Sequence, residues 1–480
     1  MEEKKNSLKV NATLNIIKQV CAIIFPLITF PYVSRTLGVD MYGKINFSNS
    51  IVSYITLIAG LGVSSYAIRE GARIRDDKVK FERFSNEVFS INIVSTIFSY
   101  IVLFFLILLW NKLDSYKSLI LILSINVLLT TLGTDWINTV YEDFLYLTIR
   151  YILCQSFAVI TTLLFVKSPN DIALYALFSN LGTILANILN IFYIRKKLNI
   201  HLKFVLHMNI KNHLKPIMLL FGNMISSMVY LYADTTMLGA IVGDAAVGYY
   251  TVSSKIYSLI KQLINAVSNV LIPRLSHDLG NSSNKETNSN VNSVLGVLSL
   301  LVCPISIGMI CMGKQIIYLI AGQEYVSAYF ALSILSVALI FSTYACIFVS
   351  VIMLAQRKDR EILKASGISA FINIVLNFVL IPKFSYNAAA FTTLLSEFVM
   401  LIQGVYYTRK TITVKIGGYI ALSILGSFEI LMICLIVKYI FINKILSLIL
   451  SVIISGVVYG LTLLISYQIL KKKMMLKQIL

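Results

Sequence analysis

The sequence predicts an all-α polytopic membrane protein of about fourteen transmembrane helices, arranged as two repeated six-helix lobes with two extra helices at the carboxyl end. Three observations lead there. Apolar runs of about 18–25 residues recur along the whole chain, each long enough to cross ~30 Å of hydrocarbon as a helix. Of the 480 residues, 58% are apolar and 13% charged, with a mean hydropathy of +0.81; a soluble protein this size puts far more charge on its surface. Finally, the glycine- and tyrosine-rich stretch Ser34–Ile51 returns in the same direction as Thr235–Ile256. Leu37-Gly38 falls on Leu238-Gly239, Gly43 on Gly248 after a four-residue insertion, and Ser48 and Ile51 on Ser253 and Ile256. Both copies lie between long apolar segments, as when a helix bundle is duplicated. Many carriers are paired bundles with a substrate site at the interface.

The apolar runs are continuous rather than alternating, which selects helices over a barrel, and open strands cannot satisfy their backbone groups in lipid. Spans are expected at roughly 11–33, 44–66, 86–110, 117–140, 144–166, 171–194, 215–240, 246–271, 291–312, 327–355, 361–381, 387–407, 416–440 and 445–469. The apolar stretch Ile316–Ile320 is too short to span and reads as part of a loop. The lobes are then 1–194 and 216–408, joined by a basic linker at 195–215 and followed by 409–480 with the last two helices and a basic tail.

Charge sets the orientation. With the amino terminus inside and the loops alternating, the inside segments hold 28 Lys/Arg and the outside loops 9. That bias puts both termini in the cytoplasm. The net charge of +19 follows from topology and anionic inner-leaflet lipid, so no nucleic-acid partner is needed to explain it. The opening segment is polar and leads into the first span without a small-residue cleavage site, as expected without a cleavable signal peptide. Six cysteines stand singly within spans, with neither metal nor disulfide spacing.

The linker Arg195–Lys215 has no acidic residue and mixes apolar residues with Lys, so it reads as a helix lying at the cytoplasmic interface. His201, His207 and His213 recur every six residues, which spreads them around such a helix rather than stacking them for a metal. The polar stretch Asn281–Asn292 reads as a cytoplasmic loop with Ser/Asn turn chemistry.

Two motifs imitate enzymes and are set aside. Gly38-Val-Asp-Met-Tyr-Gly43-Lys44 has the outline of a phosphate-binding loop, but Ile45 stands where the magnesium-binding hydroxyl belongs and the segment is an outside turn. Asp76-Asp77 is a carboxylate pair set among Arg73, Arg75, Lys78 and Lys80, which is the composition of a solvated face.

Charges inside spans are more informative, because each costs about 2.5–3.5 kcal/mol at a helix centre and so faces a partner or a water-filled cavity. They are Lys18, Asp135 and Arg150 in the first half, and Asp234, Lys255, Lys261, Glu397 and Glu429 in the second. Polar stripes accompany them at helical spacing: Asn11, Asn15 and Lys18; Asn223, Ser227, Tyr230 and Asp234; Lys255, Ser258, Gln262, Asn265 and Asn269; Ser366, Ser369, Asn373 and Asn377. Such stripes mark faces turned from lipid, and the lysines among them imply a hydrated cationic interior. Asp135 and Arg150 are equidistant from the tight turn at Glu142-Asp143, so an antiparallel helix pair puts them at one depth, suited to a salt bridge or to substrate contact.

These residues fall in segments that resemble the Wzx-type polysaccharide repeat-unit flippases of the multidrug/oligosaccharidyl-lipid/polysaccharide exporter superfamily. The matching stretches are Pro26 to Gly38, Tyr42-Gly43 to Phe47, Ile68-Arg-Glu, Ile74-Arg-Asp-Asp, Asp135-Trp136, Glu142-Asp-Phe and Arg150. They continue with Asp234 to Gly239, Val247-Gly-Tyr-Tyr, Lys255-Ile, Pro273-Arg-Leu-Ser, Met353-Leu-Ala-Gln-Arg-Lys, Asn373 and Asn377, Ile381-Pro-Lys, and Thr393 to Glu397. The segment Ser385–Phe391 departs from the pattern, since relatives usually carry a Gly-Ala pair there.

The resemblance implies alternating access by two six-helix lobes and an undecaprenyl-diphosphate-linked oligosaccharide as cargo, in a bacterial cytoplasmic membrane. Lys18, Lys255 and Lys261, with Arg35 and Arg150, would meet the diphosphate, while Asn15 and Asn265 would bond sugar hydroxyls. Asp135, Asp234 and Glu397 are the candidates for gating and coupling. A polysaccharide polymerase and chain-length proteins are the expected protein partners. No bond is made or broken and no cofactor is required. The coupling ion stays open between Na⁺, H⁺ and none: Asp234, Asn373, Asn377 and Thr393 offer a carboxylate with neutral oxygens, as hard cations prefer, and resemble the sodium site of lipid II flippases, with Asn377 where a second carboxylate is expected. Two rivals remain. A drug or cation antiporter of the same superfamily would rely on Asp234 and Glu397 in a net-acidic cavity. A membrane polymerase or glycosyltransferase would need large outside loops, and those here are short.

Overall fold

The computed structural model describes residues 8–205, 210–281 and 284–479. Every regular element among them is helical. Two compact units form, Met1–Gly248 and Tyr249–Leu480. Ten helical segments among the described residues are long and apolar enough to cross a membrane, or eleven if the bent pair His213–Gly222 and Ser227–Ile241 is one span. Fourteen is therefore not the number counted by length and apolarity, in part because two helices each run through two of the predicted spans.

The first of these is α1 (Leu8–Gly60), which bends at Gly38, where φ is 71°. Glycine adopts that left-handed backbone without a Cβ clash. Pro26 and Pro31 lie in its first arm, and Tyr32 there donates to the carbonyl of Val166, 2.7 Å away. A short amphipathic helix, α2 (Val63–Ile74), buries Val63, Tyr66, Ala67 and Gly71. Asp77 then caps α3 (Lys78–Leu109) by accepting from the Lys80 amide at 3.1 Å.

The fourth predicted span is broken into α4 (Lys117–Leu123), α5 (Ile125–Leu132) and α6 (Asp135–Val140). The breaks fall at Ser124 and at Gly133-Thr134. Buried asparagines compensate the polar groups at the second break: Asn187 donates to the Leu129 carbonyl at 3.1 Å and Asn190 to the Thr134 hydroxyl at 3.0 Å. Both stand on α8 (Ile172–Tyr193), which follows α7 (Phe144–Phe165).

The linker departs from the expected interfacial helix. A π-helical turn over Ile194–Leu198 ends at Asn199, and the chain through 205 is not helical. The cause lies on α3. The amides of Lys203 and Val205 donate to Asn86 Oδ1 at 2.8 Å and Ser90 Oγ at 2.9 Å. Two residues of extended chain advance about 6.6 Å and the four helical residues from Asn86 to Ser90 about 6 Å, so the two rows of groups match. Helix resumes at α9 (Ile210–Ile241), and α10 (Asp244–Asn281) begins after a break at Gly243. His207 lies outside the described residues, as do the side chains of Asn223 and Asn269.

In the second unit, α10 leads to α11 (Asn284–Ala321), α12 (Tyr329–Ala345) and α13 (Asp359–Thr408). Two loop expectations fail on α11. Residues 284–292 and Ile316–Ile320 are helical, as the two ends of one 38-residue helix of about 57 Å, longer than the ~30 Å of hydrocarbon. Asn288 and Asn292, one turn apart, hold an extended segment as the first unit does. Asn288 Oδ1 accepts from the Thr413 amide at 2.6 Å, Asn292 Nδ2 donates to the Thr413 carbonyl at 2.9 Å, and Asn292 Oδ1 accepts from the Lys415 amide at 2.7 Å. The recurrence after the sixth and twelfth predicted spans fits the duplication.

Helix α13 folds at Ser385, with φ 53°, inside the segment where the sequence departs from its relatives. The last helices, α14 (Gly417–Ile440) and α15 (Lys444–Ile479), pack on α11: the Tyr459 hydroxyl donates to the Leu300 carbonyl at 2.7 Å, and the Tyr419 ring fills the space over Gly296. Glu429 within α14 accepts from Thr462 of α15 at 2.9 Å.

Candidate functional site

Charged residues are paired within each unit, as the tight turn at Glu142-Asp143 predicts for Asp135 and Arg150. Arg150, on α7 and 4% exposed, bonds Asp135 at the start of α6, and its guanidinium stacks over the Tyr146 ring at 5.1 Å. The Asp135 side chain is 42% exposed, so the arginine is the buried member of the pair. In the second unit Lys261 Nζ meets Glu397 Oε1 at 2.6 Å, and the Tyr257 hydroxyl donates to the same oxygen at 3.0 Å. The sequence reading gives Lys261 to the diphosphate and Glu397 to coupling; the structure makes them counter-ions.

The other cations are placed differently. Lys18 is half-buried on α1, its ammonium 5.7 Å from the Tyr151 ring centroid. Lys255 and Asn265 are half-buried on α10, while Asn15 and Arg35 on α1 are exposed. Asp234 is buried on α9 in the first unit, two residues before Thr236, which donates to Ser50 at 2.9 Å.

The remaining neutral oxygens cluster in the second unit. Asn377 Nδ2 donates to Asn373 Oδ1 at 3.1 Å, and Thr392 Oγ1 donates to Asn377 Oδ1. Thr393 donates to the Ala389 carbonyl at 2.9 Å and lies 3.3 Å from the Tyr250 hydroxyl. Thr392 is a member that sequence reasoning missed. Both asparagine carbonyls accept hydrogen bonds within the set. No group of three or more His, Cys, Asp or Glu able to hold a metal occurs among the described residues.

The two copies of the glycine repeat meet inside the first unit. Gly43 faces the Asp244 carbonyl, and Gly248 faces that of Val39, so closely that a Cβ on either would collide with backbone. Around this contact Lys112 donates to the Ala240 carbonyl and Tyr116 to Asp244 Oδ1, the latter at 2.6 Å. Burial lifts the Asp244 carboxyl above the usual carboxylate range, against the pull of the Tyr116 hydroxyl and the Lys44 charge. The sequence shows the small residues in both copies; that they pack on each other is visible only in three dimensions.

Stacked apolar helices with half-buried lysines and charge pairs among them define a multi-pass membrane protein, and the relatives place it among transporters. The chain belongs to the polysaccharide biosynthesis protein family, whose model matches residues 8–277. A second model, MatE, matches residues 219–379. A protein of Escherichia coli (strain K12) that carries the name O-antigen transporter is 23% identical over 410 residues, 83% of this chain and 95% of its own length. Among solved structures, the lipid II flippase MurJ in an inward closed conformation superposes with a TM-score of 0.78 at 18% identity, over 96% of this chain and 99% of that one. An inward-facing multidrug resistance MATE family transporter gives 0.62 at 11% identity, over 80% and 94%. The likeness to the structures concerns the fold, and the resemblance to Wzx-type exporters is borne out.

Proposed function

We propose that the protein is a flippase that moves undecaprenyl-diphosphate-linked oligosaccharide repeat units from the inner to the outer leaflet of a bacterial cytoplasmic membrane, by alternating access and with both termini inside. The observation that carries the reading is the placement of Lys18 and Lys255, both half-buried, on α1 and α10, each on the polar stripe of its helix. An ammonium there can replace water around an anionic diphosphate, whereas a lysine facing lipid would cost several kcal/mol with nothing in return (about 2.5–3.5 at a helix centre). The names of the relatives support the cargo class, since they include an O-antigen transporter and a low-salt glycan biosynthesis flippase. Lys261 is reassigned from cargo to holding Glu397, leaving Lys18 and Lys255 as the diphosphate contacts. A polymerase and chain-length proteins would consume the flipped units outside.

The test is transport of a labelled undecaprenyl-diphosphate oligosaccharide between leaflets of proteoliposomes. The wild type should flip it, Lys255→Ala and Lys18→Ala should lose most of the rate at normal insertion, and the Arg variants should retain part of it. Parent rates in both Ala variants would remove the anion-binding role. In cells, deletion should make the lipid-linked oligosaccharide accumulate on the inner leaflet.

A further inference from the structure

The end of the first unit that the Lys/Arg bias assigns to the cytoplasm contains a buried titratable chain with no part in the cargo reading. The Tyr66 hydroxyl lies 2.7 Å from His213 Nδ1, and His213 Nε2 lies 2.8 Å from Glu87 Oε2. The other carboxylate oxygen of Glu87 accepts from Arg83 Nε at 3.2 Å. Tyr66, Glu87 and His213 are 5%, 7% and 8% exposed, and the imidazole is edge-on to the rings of Tyr66 and Phe84. The three residues come from α2, α3 and the first turns of α9. Beyond His213–Gly222, α9 turns by 50° into Ser227–Ile241, the segment that carries Asp234.

The geometry accepts either charge state of the ring. When His213 is neutral, Nε2–H donates to Glu87 and Nδ1 accepts from the Tyr66 hydroxyl. When a second proton arrives, Nδ1–H donates to the tyrosine oxygen and the hydroxyl hydrogen turns away. Neither bond is lost, because a tyrosine hydroxyl serves as donor or acceptor. The contact with Glu87 changes from a hydrogen bond to an ion pair, which is the stronger of the two. Imidazole is the side chain that ordinarily titrates between pH 5 and 8.

Other charges face the chain from the packed elements. Arg69 and Glu70 on α2 act on Tyr66, Arg83 is on α3, and Lys215 stands two residues along α9. Between residues 45 and 60 α1 carries no charged residue.

We propose that Tyr66, His213 and Glu87 form a proton-binding site that fastens the amino-terminal end of α9 to α2 and α3. Protonation tightens the attachment and deprotonation loosens it, so the mobility of α9 follows cytoplasmic pH. The orientation comes from the charge bias, but the site does not depend on what the cargo is.

Hydrogen–deuterium exchange of the full-length protein in lipid nanodiscs tests this, with rates between pH 5.5 and 8.5 normalised to intrinsic chemical exchange. In the wild type, amides of residues 213–222 should exchange about tenfold more slowly at the acid limit than at the alkaline one, the ratio that corresponds to about one pKa unit of difference between the ion pair and the hydrogen bond of the neutral ring to the carboxylate. In His213→Gln the normalised rate should be flat. Tyr66→Phe keeps the ring and its packing but removes the acceptor for the second proton, so its transition should move to more acid pH. A flat wild-type profile overturns the proposal, as does a wild-type slope in His213→Gln. Should that variant fail to fold, a Tyr66→Phe profile identical to wild type overturns it alone. The readout involves no cargo, so loss of the flippase reading would leave it standing, and its own failure would leave flipping untouched.

Discussion

Lys261 Nζ and Glu397 Oε1 are 2.6 Å apart, and with the Tyr257 hydroxyl on the same oxygen the carboxylate has two donors within the second unit. The Glu397 side chain is 5% exposed and that of Lys261 25%, so removing the lysine strands a buried charge. Lys261→Ala should lower stability by about 3–5 kcal/mol. The double variant Lys261→Met with Glu397→Leu should recover most of it. Thermal denaturation of the purified protein in detergent decides: equal melting of the single and double variants would mean that the residues do not act as a pair.

Asp135 and Arg150 predict an asymmetric result. The arginine side chain is 3% exposed and the aspartate 42%, so an aspartate left alone can reach water or lipid headgroups and an arginine left alone cannot. Asp135→Ala should therefore cut membrane yield more than Arg150→Leu. The swap Asp135→Arg with Arg150→Asp should restore part of the loss. Immunoblotting of membrane fractions measures all three, and an equal loss in the two single variants would contradict the burial argument.

The asparagine clasp on α11 should guard the segment at 411–415. Asn288→Leu with Asn292→Leu removes the side-chain partners of the Thr413 and Lys415 amides, each bond worth about 0.5–1.5 kcal/mol. Trypsin should then cut at Lys410 or Lys415 several-fold faster than in the parent. Unchanged cleavage would show that these bonds do not hold the segment.

We propose Asp234, the buried carboxylate of α9, as the residue that would carry ion coupling, with Na⁺, H⁺ and no ion as the outcomes to be separated. Asp234→Asn should abolish any gain in flipping from an imposed gradient while leaving downhill flipping measurable. Proteoliposomes with a sodium gradient at fixed pH and voltage, and then with a pH gradient alone, separate the two ions. Equal rates with and without either gradient, and an active Asp234→Asn variant, would remove coupling from the proposal.

The membrane class and the duplication are properties of the sequence alone, because span length, continuity of apolar residues and recurrence of Gly38, Gly43, Gly239 and Gly248 are local patterns. The Asp135–Arg150 pair is also legible there, since a tight turn between antiparallel helices fixes which depths coincide. Only tertiary structure decides the rest. Lys261 meets a carboxylate 136 positions away, and His213 meets Tyr66 and Glu87 at separations of 147 and 126; no helical period reports which side chain arrives across such a distance. The same holds for residues 199–205, whose composition suits an interfacial helix. They leave the helix at Asn199, which is in the left-handed region, and the amides of Lys203 and Val205 take Asn86 and Ser90, on another helix, as acceptors, since a backbone amide goes to the partner that folding brings within reach.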